Sequence, residues 1–144
     1  MELKQIIFSV IVAFTLFVNI GEAQSLATLT IQASGFKNAN GKAVVHLFRK
    51  QDDVPKKPFR QSSSEIMHGN AAITFSDIPY GDYAAILFHD ENSNGILDHK
   101  WGFPNEPIGF SNDWTLSLFS GMPTFNKLKF EFSMKKSTYS IPVR

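Results

Sequence analysis

Apolar and polar residues alternate with a period of two along most of the chain after Gln24, which is the pattern of half-buried β-strands. Leu29, Ile31 and Ala33 share one face of the first such segment. The clearest amphipathic segment is Leu128 to Phe132, where apolar residues alternate with lysine and glutamate. Because helical spacing is not evident in any segment after Gln24, the pattern predicts an all-β fold.

Short alternating segments separated by turn residues are typical of a β-sandwich or a barrel. The segments are 28–33, 43–49, 62–67, 71–75, 83–89, 128–132 and 137–143. They predict an antiparallel, Greek-key β-sandwich of about seven strands, with a long irregular loop after the central strand 83–89. Turn residues at 38–41 predict that the first two segments form a hairpin, and Pro142 predicts an edge strand.

The spacing of Tyr83 favours the sandwich. It lies two residues after Gly81, in a turn that begins at Ile78 and contains Pro79. This arrangement is typical of a tyrosine corner, in which the hydroxyl group binds upstream backbone and fixes a crossover between sheets. The alternative is that Tyr83 is an ordinary strand aromatic.

The N-terminus has the pattern of a secretory signal peptide. Lys4 precedes an apolar run from Ile6 to Ile20, and Gly21-Glu22-Ala23 then places small residues at the two positions that a signal peptidase reads. The run is about fifteen residues long, shorter than the roughly 20 that span a bilayer. We therefore expect residues 1–23 to be a signal peptide and 24–144 to be a single domain. The mature chain, without a membrane span, is expected in a periplasm or outside the cell.

Composition excludes several classes of function. The chain has no cysteine, which excludes disulfides, thiolate metal sites and a cysteine nucleophile. Its formal net charge is +1, too small for non-specific nucleic-acid binding.

One turn-rich segment has the spacing of calcium ligands. Counting Asp90 as position 1, oxygen-bearing side chains fall at positions 1, 3, 5 and 9, with a glycine at position 6. The carbonyl group of Ile96 supplies position 7. The candidate calcium ligands are Asp90, Asn92, Asn94, Ile96 and Asp98, with Glu106 as a further carboxylate.

The segment departs from an EF-hand, because Trp101 occupies position 12, where that motif has a bidentate glutamate. With two firm charged ligands, a calcium affinity of roughly 0.1 to 1 mM is expected. The alternative is a loop closed by Asx-turns alone, in which Asp90, Asn92 and Asn94 bind nearby backbone amides.

A long aromatic segment, 101–114, follows the candidate calcium loop. It either packs over one end of the sandwich or forms a recognition surface. As a surface it would suit a glycan or a component of the cell envelope. The candidate ligand-binding residues are Trp101, Phe103, Phe110 and Trp114.

Enzymatic readings find less support in the sequence. Asp90, Asp98 and Glu106 could form a glycosidase pair, but a loop rich in asparagine and glycine holds carboxylates poorly in place. His89 and His99 flank the loop and could bind zinc or copper with Asp90, although solvated or hydrogen-bonded histidines are commoner.

Several motifs in order resemble one bacterial family. They are 75–83 (FSDIPYGDY), 89–95 (HDENSNG) with Asp98, 102–104 (GFP), Glu106, 109–112 (GFSN) and 123–125 (PTF). The order is similar to that of the exported proteins grouped as domain-of-unknown-function family 2141. The resemblance implies a transthyretin-like or immunoglobulin-like sandwich and implies no activity, ligand or catalytic residue.

Together these patterns predict an exported binding or accessory module without enzymatic activity, whose functional end is the 89–112 loop. A glycan-directed hydrolase that uses the loop carboxylates and a purely structural envelope protein remain alternatives.

Overall fold

A computed structural model describes residues 25–144, so the predicted signal peptide lies outside the described residues. The elements in chain order are β1 (Leu26–Ser34), β2 (Lys42–Phe48), β3 (Arg60–Ser64), β4 (Asn70–Pro79), β5 (Gly81–Asp90), β6 (His99–Lys100), β7 (Phe103–Pro104), β8 (Ile108–Phe110), α1 (Phe125–Leu128), β9 (Phe130–Phe132) and β10 (Thr138–Pro142).

Two packed sheets form an all-β sandwich, as the alternation predicts. The first sheet has the order β10-β1-β4, and the second has the order β3-β2-β5-β8, with β9 also paired to β5. Pro142 lies in an edge strand, as predicted. The pairing of β1 with β10 is parallel, so the sandwich is antiparallel in all its other strand pairs among residues 25–144.

The predicted hairpin between the first two segments is wrong. β1 pairs with β4 and β10, whereas β2 pairs with β3 and β5 in the other sheet. Turn residues at 38–41 predict a reversal of the chain but cannot distinguish a hairpin from a crossover between sheets.

The prediction that the strand 128–132 includes Leu128 is also wrong. Residues 125–128 form one helical turn, and only 130–132 form a strand. The helical turn buries both Phe125 and Leu128, which pack against the outer face of the second sheet. Period-two spacing therefore continues by chance across the junction between helix and strand.

Both faces of the central strand β5 are buried. Tyr83, Ala85 and Leu87 belong to the core between the sheets, whereas Ala84 and Ile86 belong to a second apolar cluster on the outer face. The segment from 111 to 128 covers that outer face through Trp114, Leu116 and α1. As a result the long irregular stretch is packed against the sandwich at one end and leaves other parts exposed.

The tyrosine corner is present. The Tyr83 hydroxyl donates a hydrogen bond to the carbonyl oxygen of Pro79 at 2.8 Å, across the step from β4 in one sheet to β5 in the other. Burial raises the pKa of the Tyr83 hydroxyl, so it remains the neutral donor that this bond needs.

We expect Tyr83→Phe to lower the free energy of unfolding by about 1 kcal/mol, because the Pro79 carbonyl group loses a partly buried partner. Urea unfolding measures the change. Tyr80→Phe serves as the control, because Tyr80 also packs on Phe132. Equal stability of Tyr83→Phe and wild type would show that the corner bond contributes nothing.

Among residues 25–144 the structure contains no helix with the length and apolar character needed to cross a membrane.

Candidate functional site

Asp90 is the centre of the loop that follows β5. It is the last residue of β5 and is only 2% exposed. Its Oδ1 accepts the backbone N–H of Asn94 at 3.0 Å, and its Oδ2 accepts the backbone N–H of Gly95 at 2.7 Å. One carboxylate therefore closes the turn, and Gly95, at φ +76, supplies the left-handed conformation that the turn requires.

Asn92, Asn94 and Asp98 are brought together on the more exposed side of this turn. The side-chain amide of Asn92 donates to Oδ2 of Asp98 at 2.7 Å, and that of Asn94 donates to Oδ1 at 3.3 Å. Oδ1 of Asn92 accepts the Asn94 backbone N–H that Asp90 also accepts. The four predicted side chains thus form one continuous network.

Two further predicted ligands lie at the edge of this network. The backbone N–H of Ile96 donates to Oδ1 of Asn94 at 2.8 Å, while the side chain of Ile96 is exposed. Glu106 is 8% exposed, and its two oxygens accept the backbone N–H groups of Glu91 and Asp98, each at 3.2 Å. Glu106 therefore joins both ends of the loop through the main chain.

Burial is the largest influence on Glu106 and raises the pKa of its carboxyl group. The hydrogen bonds from the two backbone amides oppose this change, and the neighbouring charges of Asp98 and Asp90 add to it.

Carboxylates and histidines alone do not form a metal cluster here. Within residues 25–144 no three His, Cys, Asp or Glu side chains are grouped so that they could hold a metal ion. Any ion at this loop must therefore take amide or carbonyl oxygens as well, which is the mixed donor set that calcium accepts and zinc does not prefer.

The two histidines of the transition-metal hypothesis lie in different surroundings. His99 is exposed in β6, whereas His89 is 1% exposed, and its Nε2 lies 2.7 Å from the carbonyl oxygen of Asn40. Because a carbonyl oxygen only accepts, Nε2 carries the proton. His89 therefore attaches the 38–41 turn to the start of the candidate loop.

A groove of about 460 Å³ lies beside the loop. Phe103, Phe110 and Trp114 line it, with Glu106 and Arg144 also in its wall. Three of the four predicted ligand-binding aromatics therefore share one cavity. The fourth, Trp101, is 90% exposed at the tip of the β6–β7 hairpin and does not line the groove.

Sequence reasoning missed Ser111, which anchors the covering segment. Ser111 is 3% exposed, and its Oγ accepts the backbone N–H of Ala85 at 2.9 Å and lies 2.5 Å from the carbonyl oxygen of Leu128. A serine after an apolar strand reads as a turn residue, so the sequence held no signal for this role.

The fold and the loop define an all-β sandwich with a carboxylate-centred turn and an aromatic groove at one end. The chain belongs to the family described as "Uncharacterized protein conserved in bacteria (DUF2141)", whose model matches residues 31–140. The family resemblance in the sequence is thereby confirmed, while the transthyretin-like subdivision stays a prediction. Comparison with curated proteins gives no match, and comparison with solved structures gives none either.

Proposed function

We propose that this protein is an exported binding module without enzymatic activity, in which calcium orders the 90–98 loop beside a groove that accepts a glycan. The observation that carries the proposal is the convergence of Asp90, Asn92, Asn94 and Asp98 in one hydrogen-bonded network.

Calcium fits this network because its ligands need no rearrangement of the backbone. Each amide oxygen has two lone pairs, so Asn92 and Asn94 can keep their turn-closing bonds and still bind a cation. Asp98 now receives two amide N–H groups, which a cation would replace with a stronger charge interaction.

Calorimetry of the purified protein with calcium tests the proposal. We expect binding in the range of roughly 0.1 to 1 mM, with a thermal shift at several millimolar calcium. Asp53→Ala is the matched control, because Asp53 is an exposed aspartate in the 50–58 loop. The absence of heat and of a thermal shift in wild type would exclude the ion.

The groove supports the second half of the proposal. Its volume lies within the usual range for small-ligand sites, and its lining combines aromatic rings with a few polar groups. Tryptophan fluorescence against a panel of soluble glycans tests it, since Trp114 lines the groove and Trp101 stands outside it. We expect Trp114→Phe to abolish the response and Trp101→Phe to retain it. A flat response to every glycan would exclude this ligand class.

The hydrolase alternative predicts a different result from the same panel. A hydrolase that uses Asp90, Asp98 or Glu106 would release shorter sugars, and substitution of one carboxylate would abolish turnover without loss of ligand affinity. We expect intact glycans after incubation.

Export is part of the proposal and rests on the pattern of residues 1–23. Mass spectrometry of the protein recovered from the producing cell should find a chain that begins at or near Gln24. A chain that still begins at Met1 would contradict export by signal cleavage.

A further inference from the structure

An exposed apolar turn on the segment that covers the outer sheet face serves neither the loop nor the groove. Leu118 and Phe119 are 85% and 99% exposed, and Met122 is 67% exposed. The centre of a tight turn usually holds Asn, Asp, Gly or Pro rather than two large apolar side chains. These residues therefore contribute little to the core and present apolar surface to water.

The turn is held in a fixed shape. Ser117 and Ser120 exchange hydrogen bonds between backbone N–H groups and side-chain oxygens, at 2.8 and 3.0 Å. Nζ of Lys127 donates to the carbonyl oxygens of Ser120 and Met122, at 2.7 and 2.9 Å. The same ammonium lies 5.6 Å from the Trp114 ring, which is packed against Phe110. The apolar tip is thus presented by a rigid support.

We propose that this turn docks on the surface of an anionic phospholipid bilayer, with Leu118, Phe119 and Met122 entering the interfacial region. The backbone groups of the turn that would lose water are already bonded to Ser117, Ser120 and Lys127, which removes much of the penalty for desolvation. A short protruding tip of this kind enters a deformable interface without needing a matching cavity.

The charges around the turn favour an anionic surface. Met122 borders a small apolar gap that is also lined by Pro55 and Phe103, so the 54–57 and 99–104 segments lie beside the turn. These segments and the support carry Lys56, Lys57, Lys100 and Lys127, against Asp53 and Asp113 close by. Lysines flanking an apolar tip reach anionic headgroups while the tip lies deeper.

Vesicle sedimentation tests the proposal with the purified exported chain, in EDTA so that calcium cannot bridge protein and lipid. We expect binding to vesicles of phosphatidylglycerol and phosphatidylethanolamine and much weaker binding to pure phosphatidylcholine. The double variant L118S/F119S should lower the partition coefficient by about tenfold or more, because two apolar side chains no longer enter the interface.

Met134→Ser is the matched control, because Met134 is 82% exposed on the separate turn after β9. It should bind vesicles as wild type does. In a second measurement, Phe119→Trp should show a blue-shifted emission with anionic vesicles and quenching by brominated lipid.

Three results would overturn the proposal: equal vesicle binding by wild type and L118S/F119S, unchanged emission of the Phe119→Trp variant, or a wild-type dimer that L118S/F119S abolishes. The last would assign the turn to a second copy of the chain. Because the buffer contains EDTA, vesicle binding is independent of the calcium proposal, and either can fail without the other.

Discussion

Gly41→Ala is expected to lower the free energy of unfolding by about 2–5 kcal/mol. A Cβ atom at this position would lie 1.9 Å from the carbonyl oxygen of Asp90, and Gly41 also has a φ of +65. The added atom must displace backbone, which typically costs about 1–3 kcal/mol, and a left-handed non-glycine residue costs about as much again. The displaced residue is Asp90 itself, so the 90–98 loop should move with it. Urea unfolding measures the loss.

Gly121→Ala separates the clash from the conformational strain. Gly121 has a φ of +66, but its Cβ would meet only Nζ of Lys127, at 3.6 Å. We therefore expect the smaller loss that strain alone causes, about 1–3 kcal/mol. Similar losses in the two variants would show that the contact between the 38–41 turn and Asp90 does not hold the loop in place.

The alternation of the sequence is sufficient to predict the fold class, because burial on one face of a sheet requires it. It was less informative about connectivity. The crossover at 38–41 is read as a hairpin because turn residues record a reversal of direction and carry no information about which sheet receives the next strand. The strand that ends the alternating run at Phe132 is correctly predicted, whereas Leu128 belongs to a helical turn whose burial mimics period-two spacing.

The candidate site was predictable where side chains bind their own neighbours in sequence. Asp90, Asn92, Asn94 and Asp98 lie within nine residues, so spacing alone places them together. Contacts that depend on tertiary structure were not predictable. Examples are the bond of His89 to Asn40, the anchoring of Ser111 to Ala85, and the separation of Trp101 from the other aromatics.

In calcium-free buffer, Asp90→Ala is expected to lower the free energy of unfolding by about 2–3 kcal/mol, because the backbone N–H groups of Asn94 and Gly95 lose a charged acceptor at a buried position. Asp98→Ala should cost less than about 1 kcal/mol, because the Asn92 and Asn94 amides that it releases are exposed to water. Urea unfolding distinguishes the turn-closing aspartate from the more exposed one.

Calcium should reverse the similarity between Asp98→Ala and wild type. For a dissociation constant of roughly 0.1 to 1 mM, 10 mM calcium stabilises wild type by about 1.4–2.7 kcal/mol. Both aspartate variants should lose this increment, Asp98→Ala without a large prior loss of stability. If Asp98→Ala keeps the full response to calcium, the ion binds elsewhere, and the network of Asp90, Asn92, Asn94 and Asp98 is a turn closed by hydrogen bonds alone. A response lost only in Asp90→Ala would point to unfolding of the loop rather than to a missing ligand.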